Sequence, residues 1–210
     1  MTTHLNIAIA GSAGRMGRQL VAAVHKAGHR VSGGSEAPGS EAIGKDLGVL
    51  AGVEPLGVFA QADMAKAGEG ADVWVDFTIP AANLAALTSS GARAFVIGTT
   101  GFSDAEMSQI EAAAKSAAIV KAGNFSLGVN LLEALVRQAA ARLGTDWDIE
   151  ILETHHKHKV DAPSGTALML GHAAASGRSK PLSEVRAAPY GGPGAQRMPG
   201  DLVYSVRRTA

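Results

Sequence analysis

The chain of 210 residues contains no cysteine. That absence excludes disulfide bonds, thiolate zinc sites, iron–sulfur clusters and cysteine nucleophiles. A surplus of either charge is also lacking, because 19 Lys and Arg residues balance 19 Asp and Glu residues. Without a basic excess to neutralise phosphate groups, we expect binding neither to nucleic acid nor to an acidic membrane surface.

Long apolar runs are missing as well, since none approaches the roughly 18 residues that a membrane-spanning helix needs. The first apolar stretch, Leu5 to Ala10, has the length of a strand and lacks the basic leader and cleavage site of a targeting segment. We therefore expect a cytoplasmic protein. Its composition, with 46% apolar and 18% charged residues, is that of an ordinary globular chain with one large domain or two small ones.

Short β-branched runs alternate with longer Ala-rich stretches of helical period in the first half of the chain. This alternation predicts an α/β fold with a parallel sheet covered by helices. The predicted strands are Asn6 to Ala10, Arg30 to Gly33, Val73 to Phe77, Phe95 to Gly98 and Ile119 to Lys121. Ser103 and Glu106 form a capping-box pair, which predicts a helix that begins there and ends near Ala118.

The pattern changes after Gly123. A helical period from Leu127 to Leu143 precedes a segment, Trp147 to Ile151, in which apolar and polar residues alternate as in a strand with one buried face. We therefore expect one domain over residues 1–126 and a smaller α+β domain over residues 127–210.

The end of the chain carries a Pro- and Gly-rich segment, Pro189 to Gly194, and then a strand pattern from Leu202 to Val206. No partner hairpin follows this strand in the sequence. We therefore expect either an incomplete chain or exchange of the strand with a partner copy. An unpaired strand would also be an aggregation hazard.

A glycine-rich loop follows the first predicted strand directly. Gly11, Gly14 and Gly17 stand between that strand and a helical pattern. Glycines permit a tight turn and let backbone amides approach a pyrophosphate, which the helix N-terminus stabilises. Their spacing departs from the usual dinucleotide fingerprint, but Glu36 lies about 20 residues beyond Gly17, where an acid takes the ribose hydroxyls. These features predict a Rossmann-like dinucleotide-binding domain; the alternative is that the glycines only turn the chain and Glu36 is a solvated charge.

Two further loops follow predicted strands, at Phe77 to Pro80 and at Gly98 to Gly101. Ligands of open α/β sheets bind in the crevice outside the carboxyl ends of the strands. Either loop alone would be an ordinary turn, but at successive strand ends we expect the two to line one crevice.

The segment from His155 to Ala167 holds three of the seven histidines together with two lysines. If the strand alternation continued, His155 and Lys159 would share one face, and His156 and His158 the other. Crowded cations favour release of a proton from one of them, which predicts a His or Lys that acts as a proton donor. A solvated basic loop is the alternative.

The same segment contains a candidate anion site. Ser164 can cap a helix whose first amides, at Gly165 and Thr166, would face an anion, so that the neighbouring cations suit a substrate with carboxylates. A metal site is a further alternative. We expect no metal, because neighbouring histidines on alternate faces rarely converge on one ion and no His-x-x-x-His pair on a helix is present.

Five segments, taken in order, resemble the 4-hydroxy-tetrahydrodipicolinate reductase family, historically dihydrodipicolinate reductase, of the diaminopimelate route to lysine. The segments are Gly11 to Gly17 with Arg15 and Met16, Asp76-Phe77-Thr78, Gly98-Thr99-Thr100-Gly101, Asn124 to Asn130, and His155 to Ala167. The last two are the most specific.

The resemblance implies an oxidoreductase that transfers a hydride from NADH or NADPH to a cyclic, unsaturated dicarboxylate and so forms tetrahydrodipicolinate. It implies that His155 is the proton donor, that Lys159 assists it, and that His156, Gly165 and Thr166 bind the substrate. The implied cofactor site consists of Gly11, Gly14, Arg15, Met16, Gly17, Glu36, Thr78, Gly98, Thr100, Asn124 and Phe125. The second domain would then bind substrate and, if complete, build a homotetramer.

Two features depart from the family. Many members place an arginine after the ribose-binding acid to meet a 2′-phosphate, whereas Ala37 and Pro38 follow Glu36 here, which favours NADH or dual use. The family also normally continues past residue 210. A non-catalytic or truncated nucleotide-binding paralogue, sensor-like in function, is therefore an alternative, as is another amino-acid-pathway dehydrogenase. The His155 to Thr166 segment favours the reductase over both.

Overall fold

The computed structural model describes residues 4–157, 159, 162–187 and 198–209. His158 and Asp161 of the basic segment, and the segment Pro189 to Gly194, lie outside the described residues. The chain divides into two compact units, residues 1–122 and residues 123–210.

One parallel sheet organises the first unit. Its strands are β1 (Asn6–Ala10), β2 (Arg30–Ser35), β3 (Ala60–Gln61), β4 (Val73–Asp76), β5 (Ala94–Ile97) and β6 (Ala118–Lys121). They lie in the order β3-β2-β1-β4-β5-β6, and all of these pairs are parallel. In this doubly wound order the chain switches direction between β1 and β4, where such sheets bind their ligands.

Helices cover both faces of this sheet. They are α1 (Arg15–Lys26), α2 (Leu47–Ala51), α3 (Met64–Ala67), α4 (Pro80–Ser89) and α5 (Asp104–Ala113). Ala8 and Ala10 of β1 belong to one buried cluster, and Ile7 and Ile9 belong to the other, because successive strand residues point to opposite faces. The predicted parallel sheet with helices on it is confirmed.

The capping box predicted at the start of α5 is present, but two other features differ from the prediction. In the capping box, Ser103 Oγ accepts from Glu106 N at 3.3 Å and Glu106 Oε2 accepts from Ser103 N at 2.7 Å. However, α5 ends at Ala113 rather than near Ala118, because Ala118 already pairs with Ala94 in the sheet. The strand β3 was not predicted, because it has only two residues and lies at the sheet edge.

In the described residues, the second unit combines helices with a three-stranded sheet. Its described elements are α6 (Leu127–Leu143), β7 (Ile149–His156), α7 (Gly165–Gly177), α8 (Leu182–Val185), β8 (Arg186–Ala187) and β9 (Leu202–Thr209). The helix α6 begins and ends where the sequence predicts. Gly177 allows α7 to lie against α6, because a Cβ there would come within 2.3 Å of the carbonyl oxygen of Arg137.

The expectation of a lone strand near the end of the chain is wrong. The strand β9 lies between β7 and β8, and it pairs in parallel with β7 from Leu202 to Thr209. Both of its partners precede it in the chain, and a crossover through α7 connects β7 to it, so no hairpin has to follow β9. The buried side chains of Leu202 and Tyr204 face the helices of this unit.

None of the helices in the described residues is long and apolar enough to span a membrane.

A half-buried carboxylate stabilises the loop around α2. Asp46 Oδ1 accepts hydrogen bonds from the amides of Gly48, Val49 and Leu56, and Asp46 Oδ2 accepts one from Gly57. Its partial burial acts to raise the pKa of Asp46, but these amide hydrogen bonds outweigh that effect and hold the pKa below its ordinary value. The folded state therefore stabilises the charged form of Asp46.

We expect Asp46→Asn to lower the urea midpoint of unfolding at pH 7, because the amide side chain loses the charge and one acceptor oxygen. A lowered folded-state pKa contributes stability above the unfolded pKa, and that contribution is lost as the pH falls through the folded pKa. The gap between variant and wild type should therefore narrow as the pH is lowered below about 4. The exposed Glu69→Gln serves as a control, and a gap that is independent of pH would contradict the role of the charge.

Candidate functional site

The glycine loop connects the carboxyl end of β1 to α1. Gly11 has a φ of 58°, in the left-handed region, and Gly14 is the N-cap residue of α1. A Cβ at Gly17 would lie 2.0 Å from the Gly11 carbonyl oxygen, so only glycine lets α1 start this close to the loop. Because Gly14 has no side chain with which to cap α1, the amides of the first turn are left for an external anion.

Glu36 reaches the glycine loop from the neighbouring strand. It follows β2 directly, and its Oε1 accepts a hydrogen bond of 2.6 Å from the amide of Ala13. Its own amide donates to the carbonyl oxygen of Gln61 at 2.8 Å, which anchors the backbone of the acid. The structure thus brings the predicted ribose-binding carboxylate to the loop, and Ala37 beyond it is exposed.

A pocket of about 610 Å³ opens where β1 and β4 end. Its volume lies within the range of small-molecule sites. The lining residues come from the glycine loop, α1 and the segment after β4, and they are Ala10, Gly11, Gly14, Arg15, Met16, Gly17, Gln19, Phe77 and Thr78. The predicted cofactor residues of the glycine loop therefore share one pocket with Thr78. Among the described residues, Glu36, Gly98 and Thr100 do not contribute to this lining.

Asp76, a buried residue that the sequence offered only as part of a resemblance, joins the two strand-end loops. Its Oδ1 accepts hydrogen bonds from the amide and hydroxyl of Thr78, at 2.9 and 2.6 Å, and from Thr99 Oγ1 at 3.1 Å. The amide of Gly98 donates to the Asp76 carbonyl oxygen at 2.8 Å. One residue at the end of β4 therefore holds both loops. An acid followed by Phe-Thr at a strand end is the signal that could have identified it.

Gly98 has a packing role beside this network. A Cβ at this position would lie 2.1 Å from the ring of Phe77, so a larger residue would displace that ring from the pocket wall. Thr100, two residues later, is exposed.

The predicted proton donor lies near the end of β7 in the second unit. His155 Nε2 is 2.8 Å from Glu153 Oε2, and Glu153 Oε1 accepts a hydrogen bond of 2.7 Å from the amide of Ser164. Because residues two apart in a strand share a face, Glu153 stands directly beside His155. The Glu153 side chain is only 11% exposed and that of His155 is 26% exposed.

Glu153 is held in its charged form. Burial acts to raise the pKa of its carboxyl, but the hydrogen bonds from Ser164 and His155 outweigh that effect and hold the pKa below its ordinary value. Glu153 therefore carries a negative charge at neutral pH. Sequence reasoning missed it, although its spacing of two residues before His155 in a strand pattern was available.

The strand alternation does not continue to Lys159. β7 ends at His156, and the amide of Lys159 donates to the His156 carbonyl oxygen at 3.1 Å to close a turn. Lys159 therefore lies outside the strand and does not share a strand face with His155. His156 is exposed on the face of β7 opposite to His155, as the alternation predicts within the strand.

Ser164 caps α7, as the sequence predicts, and its Oγ accepts a hydrogen bond of 3.1 Å from the amide of Ala167. In the first turn of the helix, Thr166 Oγ1 accepts a hydrogen bond of 3.2 Å from Asn124 Nδ2. Asn130 fixes the backbone of Asn124 by donating from Nδ2 to its carbonyl oxygen at 3.1 Å. A residue expected to bind cofactor thus contacts one expected to bind substrate.

Phe125, the remaining predicted cofactor residue, is 41% exposed at the start of the second unit. Within the described residues, no three His, Asp or Glu side chains gather as metal ligands would.

Two family models match this chain in succession. The model described as dihydrodipicolinate reductase, N-terminus, matches residues 5–125, and the model described as dihydrodipicolinate reductase, C-terminus, matches residues 128–208. The 4-hydroxy-tetrahydrodipicolinate reductase of Parvibaculum lavamentivorans is 51% identical, over 99% of this chain and 78% of the relative. The enzyme of the same name from Afipia carboxidovorans is 46% identical, over 98% of this chain and 77% of the relative.

Solved structures agree with these relatives. A dipicolinate-bound dihydrodipicolinate reductase from Paenisporosarcina sp. TG-14 superposes with a TM-score of 0.66 and 26% identity, covering 98% of this chain and 79% of that one. An aspartate semialdehyde dehydrogenase II from Vibrio cholerae, with a TM-score of 0.52 and 11% identity, covers 99% of this chain and 68% of that one and shares the fold alone.

The Asp76 network predicts the effect of a near-isosteric substitution at Thr99, a residue that is only 2% exposed. Thr99→Val removes one hydroxyl donor to Asp76 and should lower the free energy of unfolding by about 1 to 3 kcal/mol. Urea denaturation followed by circular dichroism measures this loss. Thr88→Val on the exposed surface of α4 is the matched control, and equal effects at the two sites would contradict the importance of the buried hydrogen bond.

Proposed function

The chain belongs to the dihydrodipicolinate reductase family, and from this we propose that the glycine-loop pocket holds the nicotinamide cofactor while residues from His155 to Thr166 handle the substrate. The chain is an oxidoreductase that reduces 4-hydroxy-tetrahydrodipicolinate to tetrahydrodipicolinate in the diaminopimelate route to lysine.

The residues of the first unit fit a dinucleotide. The glycine loop leaves room for a pyrophosphate, because side chains are absent at Gly11, Gly14 and Gly17 and no side chain caps the first amides of α1. Glu36 lies at the same loop and offers a carboxylate to ribose hydroxyls. When bound, NADH or NADPH supplies the hydride. Thr78, Gly98, Thr100, Asn124 and Phe125 are proposed to contact its nicotinamide end.

The residues of the second unit provide the proton and the anion-binding groups. Hydride addition to an unsaturated carbon places negative charge on the substrate, which a proton donor must neutralise. We assign this donation to His155, with Lys159 assisting it. His156 and the first turn of α7, at Gly165 and Thr166, are proposed to bind the carboxylates, because a capped helix N-terminus carries partial positive charge.

The observation that carries this assignment is that one carboxylate, that of Glu153, contacts both His155 and the N-cap residue of α7. Glu153 accepts from the amide of Ser164 at the start of α7 and lies 2.8 Å from the His155 ring. It therefore holds a proton-transferring group beside a helix end suited to an anion. A sensor that only bound nucleotide would have no use for this arrangement.

Cofactor preference follows from the surroundings of Glu36. A carboxylate repels a 2′-phosphate, and the exposed Ala37 offers no cation to offset that repulsion. We therefore propose use of NADH or of both cofactors. From the resemblance we also propose a cytoplasmic homotetramer.

Turnover by this 210-residue chain tests the function directly. Absorbance at the reduced-nicotinamide band should fall when substrate is generated in situ by the preceding synthase, in parallel reactions with NADH and NADPH. His155→Gln should lower kcat by on the order of 10²- to 10⁴-fold while cofactor binding, measured by calorimetry, is retained. His172→Gln, an exposed histidine on α7, is the control. Unchanged turnover in His155→Gln would remove this residue from the mechanism, and cofactor binding without wild-type turnover would favour a non-catalytic paralogue.

Ala37→Arg tests the proposed origin of cofactor preference. A guanidinium beside Glu36 would meet a 2′-phosphate, and the ratio of kcat/KM for NADPH to that for NADH should rise by about tenfold or more. Steady-state kinetics with the two cofactors measure this ratio, with Ala37→Gln as the uncharged control. A ratio that does not move would show that position 37 does not determine the preference.

A further inference from the structure

Glu153 contacts the predicted proton donor but is not itself among the residues proposed to touch substrate. Its two carboxylate oxygens have different partners, the amide of Ser164 at 2.7 Å and Nε2 of His155 at 2.8 Å. With 11% of the side chain exposed, water has little access to compete for these contacts. These two contacts therefore determine which partner atoms carry the hydrogens as well as where the heavy atoms lie.

We infer that Glu153 is a positioning residue that fixes the proton arrangement of His155, so that Nε2 always carries a hydrogen and Nδ1 is the nitrogen that exchanges a proton with the substrate. This inference rests on the proposed function of His155 as the proton donor.

Donor and acceptor chemistry leads to this assignment. A backbone amide can only donate, so Oε1 accepts from Ser164, and an ionised carboxylate can only accept. Oε2 must therefore accept as well, and the ring nitrogen beside it, Nε2, must donate. The neutral ring is then the Nε2–H tautomer, and a proton added to it goes to Nδ1. That added proton is the one the ring can pass to the substrate.

The position of Glu153 in β7 explains why it can do this. Residues two apart in a strand project from the same face, so the strand alone brings Glu153 to His155 without a loop. The contact to Ser164 then fixes the rotation of the carboxylate. The same side chain thereby holds the amide of the N-cap residue of α7, whose first turn is proposed to bind a substrate carboxylate.

Glu153→Gln reverses the hydrogen-bond direction at His155 while keeping the shape of the side chain. The Gln oxygen has to remain with the Ser164 amide, since the opposite orientation would set two donors against each other. The Gln NH₂ group then faces His155 Nε2 and forces it to accept. The ring hydrogen moves to Nδ1, and the doubly protonated ring cannot form without breaking this contact.

The kinetic test separates positioning from a structural role. We expect Glu153→Gln to lower kcat by on the order of 10²-fold, with KM for substrate and cofactor changed by less than about threefold, because Glu153 touches neither. Glu150→Gln is the matched control: it makes the same change in the same strand on the exposed opposite face, and kcat should stay within about twofold. A rise in KM with unchanged kcat would overturn the inference, since it would mean that Glu153 only supports the start of α7.

The second test is spectroscopic and needs no turnover. Nitrogen-15 NMR of the imidazole rings, with the His155 signals identified by their loss in His155→Gln, should show the Nε2–H tautomer in the wild type and the Nδ1–H tautomer in Glu153→Gln. An Nδ1–H tautomer in the wild type would overturn the inference. Because this measurement uses the wild type alone, it decides the question even if Glu153→Gln does not fold. If the wild type lacked turnover, the proposed function would fail, while the tautomer measurement would still decide the role of Glu153.

Discussion

Parallel pairing of β1 with β2 on one side and with β4 on the other is the constraint on which the first unit depends. A parallel sheet requires every strand to end at the same edge, so the glycine loop after β1 and the Thr78 segment after β4 emerge side by side. The reversal of chain direction between them leaves a gap that helices do not fill. The pocket of about 610 Å³ at this point follows from the strand order.

Each unit has a largely buried carboxylate on a strand, and each carboxylate holds the polar groups of a candidate site. Asp76 ends β4 and joins two loops through Thr78 and Thr99. Glu153 joins His155 to the start of α7. Donors reach Oδ1 of Asp76 and both oxygens of Glu153, and these hydrogen bonds offset part of the cost of burying each carboxylate. The residues proposed to meet the ligands therefore need little rearrangement of their own.

Small residues set the distances between the helices and the remaining layers. Gly17 lets α1 start within contact of the glycine loop, and Gly171 leaves room for the hydroxyl of Tyr204, which a Cβ would approach to 1.7 Å. The absence of a side chain at Gly171 allows α7 to lie on the three-stranded sheet, and this packing determines the position of the N-terminus of α7. Interiors are packed closely enough that a single methyl group at such a position would move a whole helix.

Much of the fold was accessible from sequence because its signals are local. The alternation of strand and helix patterns, the capping box at Ser103 and the limits of α6 depend on neighbouring residues alone, and they agree with the structure. The edge strand β3 and the early end of α5 did not follow from local patterns. A two-residue strand carries no periodicity, and the end of α5 is set by pairing of Ala118 with a distant strand.

The sequence by itself determined the parallel α/β domain, the glycine loop with Glu36 after the next strand, and the family to which the chain belongs. These depend on residue types at fixed spacings along the chain. Only the tertiary structure decided that β9 lies between two earlier strands, that Asp76 joins two loops, and that the two oxygens of Glu153 have different partners. Such relations join residues far apart in the chain, and their hydrogen bonds form only after the strands and helices that carry them have packed.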